Sequence, residues 1–150
     1  MKYEEIIVID APRDEVITRF SNAENLKHWQ EGFLNYRPIS GKPGQLGSQS
    51  ELTYKMGNRE IIMKETISHN NFPDALHATY EADGVFNQQQ NFFEVYEDDK
   101  TLWRSVSEFK FTGILMKAMG FLMPGAFKKQ SRKYMTDFKA WVENGTSVAP

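Results

Sequence analysis

The sequence predicts an α+β fold in which a curved antiparallel sheet of six to seven strands packs against one long C-terminal helix. Three observations lead to this prediction. Residues 2 to 9 alternate and are rich in Ile and Val, as in a strand. Residues 33 to 111 form strand-like runs whose connections are too short for parallel crossovers. Beyond Thr112, apolar residues recur every three or four positions, which is typical of a helix.

Two short helices are predicted directly after the first strand. Pro12 suits the first position of a helix, and apolar side chains follow at helical spacing as far as Phe20. Ser21 and Asn22 are favourable caps for a second short helix that runs through Trp29. The two helices therefore separate the first strand from the rest of the sheet.

Turn residues divide the central region into strands. Residues 40–47 (SGKPGQLG) and 70–74 (NNFPD) predict loops, whereas 82–84 (ADG) and 97–100 (EDDK) predict hairpin turns. Between the loops, residues 50–56 alternate Ser, Leu, Tyr and Met with charged or polar residues. This alternation indicates a strand with one buried and one wet face.

The C-terminal helical pattern contains one interruption. Pro124 cannot donate a hydrogen bond to the carbonyl of Gly120, so we expect a break there, with Pro124 opening the main helix. Asn144 and Gly145 supply the C-terminal stop.

Length and composition limit the function classes. A chain of 150 residues is typical of one domain, and we predict a domain over residues 1–145 and a flexible tail over 146–150. The absence of Cys excludes disulfides, thiolate metal sites and a Cys nucleophile. A net charge of −2 gives no overall attraction for nucleic acid. The first residues lack a signal-peptide pattern, so we expect a cytoplasmic protein.

Metal, cofactor and hydrolase signatures are not found in the sequence. His28, His69 and His77 are not at metal-ligand spacing, so we expect no metal and no cofactor. No GxSxG motif supports a serine hydrolase. The glycine loop over 40–47 lacks the Lys-Ser/Thr ending of a phosphate loop and is interpreted as a flexible lip of a pocket.

The order of these elements resembles the START-like superfamily, also called SRPBCC, which includes polyketide cyclases, lipid-transfer domains and the birch-pollen allergen type. The resemblance covers nearly the whole chain. It rests on Ile9-Asp10-Ala11-Pro12 with Val16 after it, the helix pair ending in Trp29, the glycine loop ending at Gly47, and the terminal FKKQSRKYMTDFKAWVENG. It implies a helix-grip fold with a cavity for hydrophobic ligands between the sheet and the last helix. It does not imply one activity, because the superfamily contains carriers, sensors, cochaperone-like domains and enzymes.

Five successive amides, from Asn87 to Asn91, lie on one predicted strand. Side chains alternate across a strand, so either Gln88 and Gln90 or the three odd-numbered amides face the concave side. Buried amides need partners, which are each other, water or a ligand; a wet strand at the rim is the alternative. We assign Gln88 and Gln90 to the candidate ligand site and leave the register open.

The following strand has one face suited to a cavity wall. Trp103, Ser105, Ser107, Phe109 and Phe111 share this face, and the opposite face contains three charges. The two serines suit a ligand hydroxyl or carbonyl, or are simply small residues that leave room for the helix.

Glu65 is the candidate catalytic residue. It shares a strand face with Met63 and Ile67, so an inward orientation would raise its pKa by desolvation and suit a general acid or base. The alternative is an edge-strand carboxylate that reaches solvent. Tyr54 and Tyr80 are further hydrogen-bond donors, or core aromatics with hydroxyls at the surface.

The predicted ligand site combines aromatic, Met, hydroxyl and amide side chains. Its members are Trp29, Tyr54, Tyr80, Gln88, Gln90, Trp103, Ser105, Ser107, Phe109, Met119, Met123, Phe127 and Gln130. We expect a gate at residues 120–124. The apolar segment 114–127 either lies under the rim of the sheet, forms a dimer contact, or gates the pocket at a membrane, and four basic residues follow it.

The leading hypothesis is binding or transport of a hydrophobic or amphipathic small molecule, such as a lipid, isoprenoid or polyketide. The first alternative is a polyketide cyclase or dehydratase that uses Glu65 and inward amides. The second is a cochaperone-like module that contacts a protein through residues 114–127. We expect no nucleic-acid partner, no stable membrane insertion because the apolar segment is too short, and a monomer or homodimer.

Overall fold

The structure, a computed structural model, describes residues 1–150, with only the backbone of Leu115. The strands are β1 (Lys2–Ile9), β2 (Phe33–Ser40), β3 (Gln49–Met56), β4 (Arg59–Asn71), β5 (Ala75–Ala82), β6 (Val85–Tyr96) and β7 (Lys100–Phe111). The helices are α1 (Arg13–Ser21), α2 (Leu26–Trp29), α3 (Ile114–Leu122) and α4 (Pro124–Asn144). This order confirms the predicted α+β class with two short helices after the first strand.

The seven strands form one antiparallel sheet in the order β1-β7-β6-β5-β4-β3-β2. Strands β2 to β7 pair in sequence order, as short hairpin connections require. Strand β1 instead pairs with β7, with Lys2 opposite Glu108 and Ile9 opposite Thr101. The curved sheet wraps α4, which packs against β1 and α2.

Helix boundaries follow the predicted caps. The side chain of Asn22 accepts a hydrogen bond of 3.0 Å from the backbone N–H of Glu24 at the start of the short helical turn before α2. Pro124 is the first residue of α4, so its missing N–H leaves no helical hydrogen bond unmade. Gly145 ends α4 with φ of 71°, a left-handed conformation that favours glycine. The predicted break between α3 and α4 is confirmed.

The last five residues lie against α2. The backbone N–H of Val148 donates to the carbonyl of His28 at 3.1 Å, and His28 Nδ1 lies 2.8 Å from Ser147 Oγ. These contacts position the segment; its expected flexibility and the domain boundary at residue 145 stay predictions.

The hydrophobic core lies at one end of the molecule. It joins the C-terminal half of α4 to α1, α2, β1, β6 and β7, and its members are Ile7, Ile9, Ala11, Val16, Trp29, Phe93, Trp103, Met135, Phe138, Trp141 and Val142. The N-terminal half of α4 has no part in this cluster. Space therefore remains between that half of the helix and the sheet.

Candidate ligand-binding cavity

A cavity of about 1320 Å³ lies between the concave face of the sheet and the N-terminal half of α4. Strands β3 to β7 form one wall, and α4 contributes Phe127, Gln130 and Tyr134 to the other. Met116 and Met119 of α3 cover one end. Ligand cavities in proteins commonly measure about 300 to 1000 Å³. This cavity therefore has room for a molecule of lipid or polyketide size.

Aromatic side chains close the end of the cavity that borders the core. The ring of Phe20 lies 5.7 Å from that of Trp29 and 5.4 Å from that of Trp103, measured between centroids. Trp103 Nε1 donates a 3.0 Å hydrogen bond to Oδ1 of Asn91, and both side chains are buried. Packing and this bond fix the indole, so this wall is rigid.

The inward face of β6 carries the odd-numbered amides. Asn87, Gln89 and Asn91 line the cavity, whereas Gln88 and Gln90 lie on the opposite face of the sheet. The expectation that Gln88 and Gln90 line the cavity is therefore wrong. Phe93 pairs with Trp103 in the core, and the two-residue period of the strand then turns every odd-numbered residue inward.

The protein already supplies partners to the inward amides. Gln89 Nε2 donates to Ser105 Oγ at 3.3 Å, and Asn87 Nδ2 donates to the carbonyl of Glu108 at 3.2 Å. Asn91 accepts from Trp103. These amides are thus partly satisfied by the protein, and each amide retains further donor or acceptor capacity toward the cavity.

The predicted inward face of β7 is confirmed from Trp103 to Phe109, whereas Phe111, at the end of the strand, packs against Phe109 and Phe127 and is outside the cavity lining. Trp103, Ser105, Ser107 and Phe109 all line the cavity. Both serines are buried and lie in the middle of the wall, where their small side chains leave the cavity wide.

A polar row crosses four strands of the wall. Ser50, Glu65, Tyr80 and Asn87 lie opposite one another in adjacent strands, in that order from β3 to β6. Glu65 and Tyr80 are half-buried, and both line the cavity. Glu65, Tyr80 and Asn87 place a carboxyl, a phenol and an amide along one line of an otherwise largely apolar wall, and the row continues to the buried Ser50, which is outside the cavity lining.

Burial shapes the ionisation of this row. Desolvation raises the pKa of the Glu65 carboxyl, and its hydrogen bond with Tyr80 opposes part of that rise. Desolvation, together with the nearby Glu65, raises the pKa of the Tyr80 phenol well above its ordinary value. Tyr80 is therefore a neutral hydrogen-bond donor at physiological pH, and Glu65 is easier to protonate than a surface carboxyl.

Further hydroxyl groups surround the row. Tyr54 lines the cavity and donates to Oε1 of Gln30 at 2.6 Å, and burial raises the pKa of its phenol well above the usual value. Ser50 Oγ donates to Tyr36 Oη at 2.8 Å. On α4, burial raises the pKa of Tyr134 to about 12. Tyr54 and Tyr134 are therefore neutral hydrogen-bond donors at physiological pH.

The structure places the predicted residues of α3 and α4 on different sides. Met119, Phe127 and Gln130 line the cavity, and the ring of Phe127 lies 4.9 Å from that of Phe109. Met123 is outside the lining and 54% exposed, because it caps the end of α3 where the chain turns into α4. The assignment of Met123 to the site is therefore wrong.

Several lining residues were not assigned from the sequence: Asn87, Gln89 and Asn91 were the alternative register of β6, and Tyr36, Ser131 and Tyr134 were not considered for the site. Tyr134 belongs to the apolar stripe of the C-terminal helix, so the three-to-four-residue spacing of that stripe predicts its inward orientation. Tyr36 lies on a strand with irregular pairing to β3, where no simple alternation exists. The glycine loop contributes Pro43 and Gly44 to the rim of the cavity.

Metal sites and membrane-spanning helices are two further features that bear on function. Among the described side chains, no group of three His, Asp or Glu residues is close enough to hold a metal ion. Within the described part of the chain, no helix has the length and apolar character needed to cross a bilayer.

No family model matches the sequence, and no curated protein matches it. Solved structures do match. The Zhui aromatase/cyclase from Streptomyces sp. R1128 superposes with a TM-score of 0.81 at 8% identity, covering 95% of this chain and 93% of the other. Ara h 8.0201 has a TM-score of 0.74 at 11% identity, covering 95% and 97%.

A third structure, ginseng major latex-like protein 151 from Panax ginseng, has a TM-score of 0.74 at 13% identity and covers 95% and 97% of the two chains. Identities this low show the fold alone. They agree with the expectation drawn from the order of elements. The chain has the helix-grip fold.

Proposed function

We propose that this protein binds, and thereby carries, an amphipathic small molecule with a long apolar body and a neutral polar group. The observation that supports this proposal is the cavity itself, about 1320 Å³ in volume and mostly apolar, with a polar row across its sheet wall. An apolar ligand body would contact the Phe and Met side chains of α3, α4 and β7. A hydroxyl, ketone or ester would contact the polar row. Lipids, isoprenoids and polyketides all contain such molecules.

The charge of the lining argues for a neutral ligand. Glu65 lies within the cavity, and Glu60 and Asp83 lie at its exposed rim, where Arg59 is the counter-charge. An ionised fatty acid with its carboxylate near Glu65 would suffer like-charge repulsion in a poorly solvated site. We therefore expect a fatty alcohol to bind more tightly than the fatty acid of equal length at neutral pH.

Displacement of an environment-sensitive apolar dye tests both statements. We expect saturable dye binding, and displacement by the alcohol at a concentration at least about tenfold lower than by the acid. Ser107→Phe places a ring in the middle of the cavity wall and weakens dye binding several-fold, whereas Glu108→Phe, its neighbour on the outer face, leaves it intact. Purified protein without saturable dye binding, and without a bound species in native mass spectrometry, would refute the proposal.

A second candidate function is a polyketide cyclase or dehydratase, and the Glu65–Tyr80 pair favours it. Glu65 as a carboxylate would remove a proton from a carbon between two carbonyls, and the resulting enolate would attack a third carbonyl of the same chain. Tyr80 would donate a hydrogen bond to the carbonyl oxygen that becomes negative, the role first assigned to Gln88 and Gln90. Because those amides lie outside the cavity, the reaction now depends on Tyr80 and Asn87.

The assay for this reaction uses a synthetic poly-β-ketone thioester, with products identified by mass spectrometry. An enzyme would give one cyclised product faster than the uncatalysed reaction, and Glu65→Gln would abolish the acceleration while keeping dye binding. Glu60→Gln, a carboxyl at the rim, is the matched control. If wild-type protein leaves rate and product distribution unchanged, the cyclase candidate is refuted. A cochaperone-like role, a cytoplasmic location, and the choice between monomer and homodimer stay predictions of the sequence.

A further inference from the structure

The outward face of α3 is apolar, contrary to the usual pattern of a surface helix. Ile114, Ala118, Phe121 and Leu122 are spaced as i, i+4, i+7 and i+8, so they share one face, and Ile114, at the start of the helix, also borders the cavity. Their side chains are exposed, Ile114 at 91%, Phe121 at 84% and Leu122 at 74%. The exposed apolar run continues through Met123. Together these residues form a contiguous patch of the kind that marks an interaction surface.

Basic residues flank this patch along the chain. Residues 109–136 contain six Lys and Arg and no Asp or Glu, although the whole chain has a net charge of −2. The six are Lys110, Lys117, Lys128, Lys129, Arg132 and Lys133. Arg132 pairs with Glu5, and Lys133 pairs with Glu31 and Asp137. Lys117 and Lys129 are exposed and have no ion pair with any side chain that the structure describes.

The inner face of the same helix covers the cavity. Met116 and Met119 line it, and two glycines allow α3 to lie close to the sheet. A Cβ atom on Gly84 would stand 2.6 Å from Cγ of Met116, and one on Gly120 would stand 2.6 Å from the ring of Phe111. Helix α3 is thus a thin layer between the cavity and the apolar patch.

We propose that the outer face of α3 docks on an anionic lipid bilayer, with Phe121 and Leu122 among the acyl chains and Lys117 and Lys129 at the headgroups. The nine-residue helix lies in the plane of the interface, which suits an amphipathic surface helix and not a membrane span. Docking brings the cavity mouth to the membrane, where an apolar ligand can pass without crossing water. This exchange step rests on the proposed ligand binding; the docking itself does not.

Charge and chemistry favour a membrane over other occupants. A second copy of the chain on this patch would bring two basic clusters together, and like charges across an interface are unfavourable. A protein interface normally combines an apolar centre with polar groups for directional hydrogen bonds. This patch offers apolar side chains and lysines, which fit fluid acyl chains beneath anionic headgroups.

Co-sedimentation with vesicles tests the docking. One set contains phosphatidylcholine alone and the other phosphatidylcholine mixed with phosphatidylglycerol. We expect binding to the anionic vesicles that weakens at high salt. The double variant Phe121→Asp/Leu122→Asp lowers the partition at least about tenfold. Lys117→Gln and Lys129→Gln each lower it about fivefold. Val95→Asp, at an apolar residue that is 66% exposed at the far end of the sheet, leaves binding unchanged.

Three outcomes overturn the proposal. The first is absence of binding to anionic vesicles, and the second is equal vesicle binding of the wild type and the Phe121→Asp/Leu122→Asp variant. The third is that the wild type forms a dimer in solution, or a stable complex with another protein, and that this variant does not. Dye binding in vesicle-free solution separates the two proposals. A variant that loses vesicle binding but still binds the dye has a defect in docking alone. A wild-type protein that binds vesicles but not the dye would count against the cavity proposal alone.

Discussion

Replacing Phe138 by Ala separates the part of the molecule that stabilises the fold from the part that binds. Phe138 is 0% exposed, and its ring packs against the rings of Phe20, Trp29 and Trp103, with centroids 5.1 to 6.0 Å apart. Phe127 lies about three turns earlier on the same helix. It is half-buried and faces the cavity. The same substitution at the two positions therefore removes different interactions.

The expected magnitudes follow from burial. Deleting a fully buried Phe ring destabilises a protein by about 3 to 5 kcal/mol, because apolar transfer and an enclosed void both contribute. For a chain of this length, that corresponds to a fall in Tm of roughly 8 to 16 °C. Phe127→Ala loses about half of the transfer contribution and adds space to an existing cavity, so we expect about 1 kcal/mol.

Urea denaturation followed by Trp fluorescence measures the stabilities, and dye titration measures binding. We expect Phe138→Ala to lose stability and keep its dye affinity at temperatures where it is folded. Phe127→Ala is expected to keep most of its stability and bind dye several-fold more weakly. Equal stability losses at the two positions would refute the division into a stabilising core and a binding half.

Three further predictions concern single sites. Because burial raises the pKa of Glu65, the native state holds its proton more tightly than the unfolded chain does. Wild-type stability therefore falls as pH rises from the ordinary pKa of 4.5 through the raised native pKa. Urea titrations of Glu65→Gln at several pH values will lack this decrease. Trp103→Phe leaves Oδ1 of buried Asn91 without its donor, so calorimetry will show a loss of at least about 1 to 3 kcal/mol, part of which Asn91→Leu in the same chain restores. Gly145→Ala forces a Cβ into the left-handed conformation that ends α4, and thermal melts will show a loss of about 1 kcal/mol; an unchanged Tm would contradict this account of the cap.

The element order was predictable because local signals agreed with one another. The alternation in β3 identified the buried face of that strand, and Pro124 and Gly145 marked the ends of α4 without tertiary information. Each of these signals acts within a few residues along the chain, where steric and capping preferences are strong.

The register of β6 was not predictable from its own residues. Phe92 and Phe93 are adjacent, so an aromatic side chain points to each face whichever amides are inward. The outward ring of Phe92 is covered by the guanidinium of Arg104 at 4.2 Å, a contact between two strands that local sequence does not indicate.

The alignment of the polar row was also not predictable from the sequence. Ser50, Glu65, Tyr80 and Asn87 belong to four strands, and their alignment depends on three hairpin registers at once. A shift of two residues in any one pairing would keep every side chain on its predicted face and still break the row, and such a shift between β4 and β5 would separate Glu65 from Tyr80.

The pairing of β1 with β7 has a consequence for folding. Strand β1 can pair only with β7, the last strand of the chain, since Lys2 lies opposite Glu108. This pairing therefore has to wait until β2 to β7 have been synthesised. Closing so long a loop before any contact is gained is slow, and high contact order lowers folding rates. A chain truncated before β7 would leave β1 and β6 with unpaired edges, which invite aggregation. Helix α4 packs on β1, so the wall opposite the sheet takes its position only when this last pairing is made.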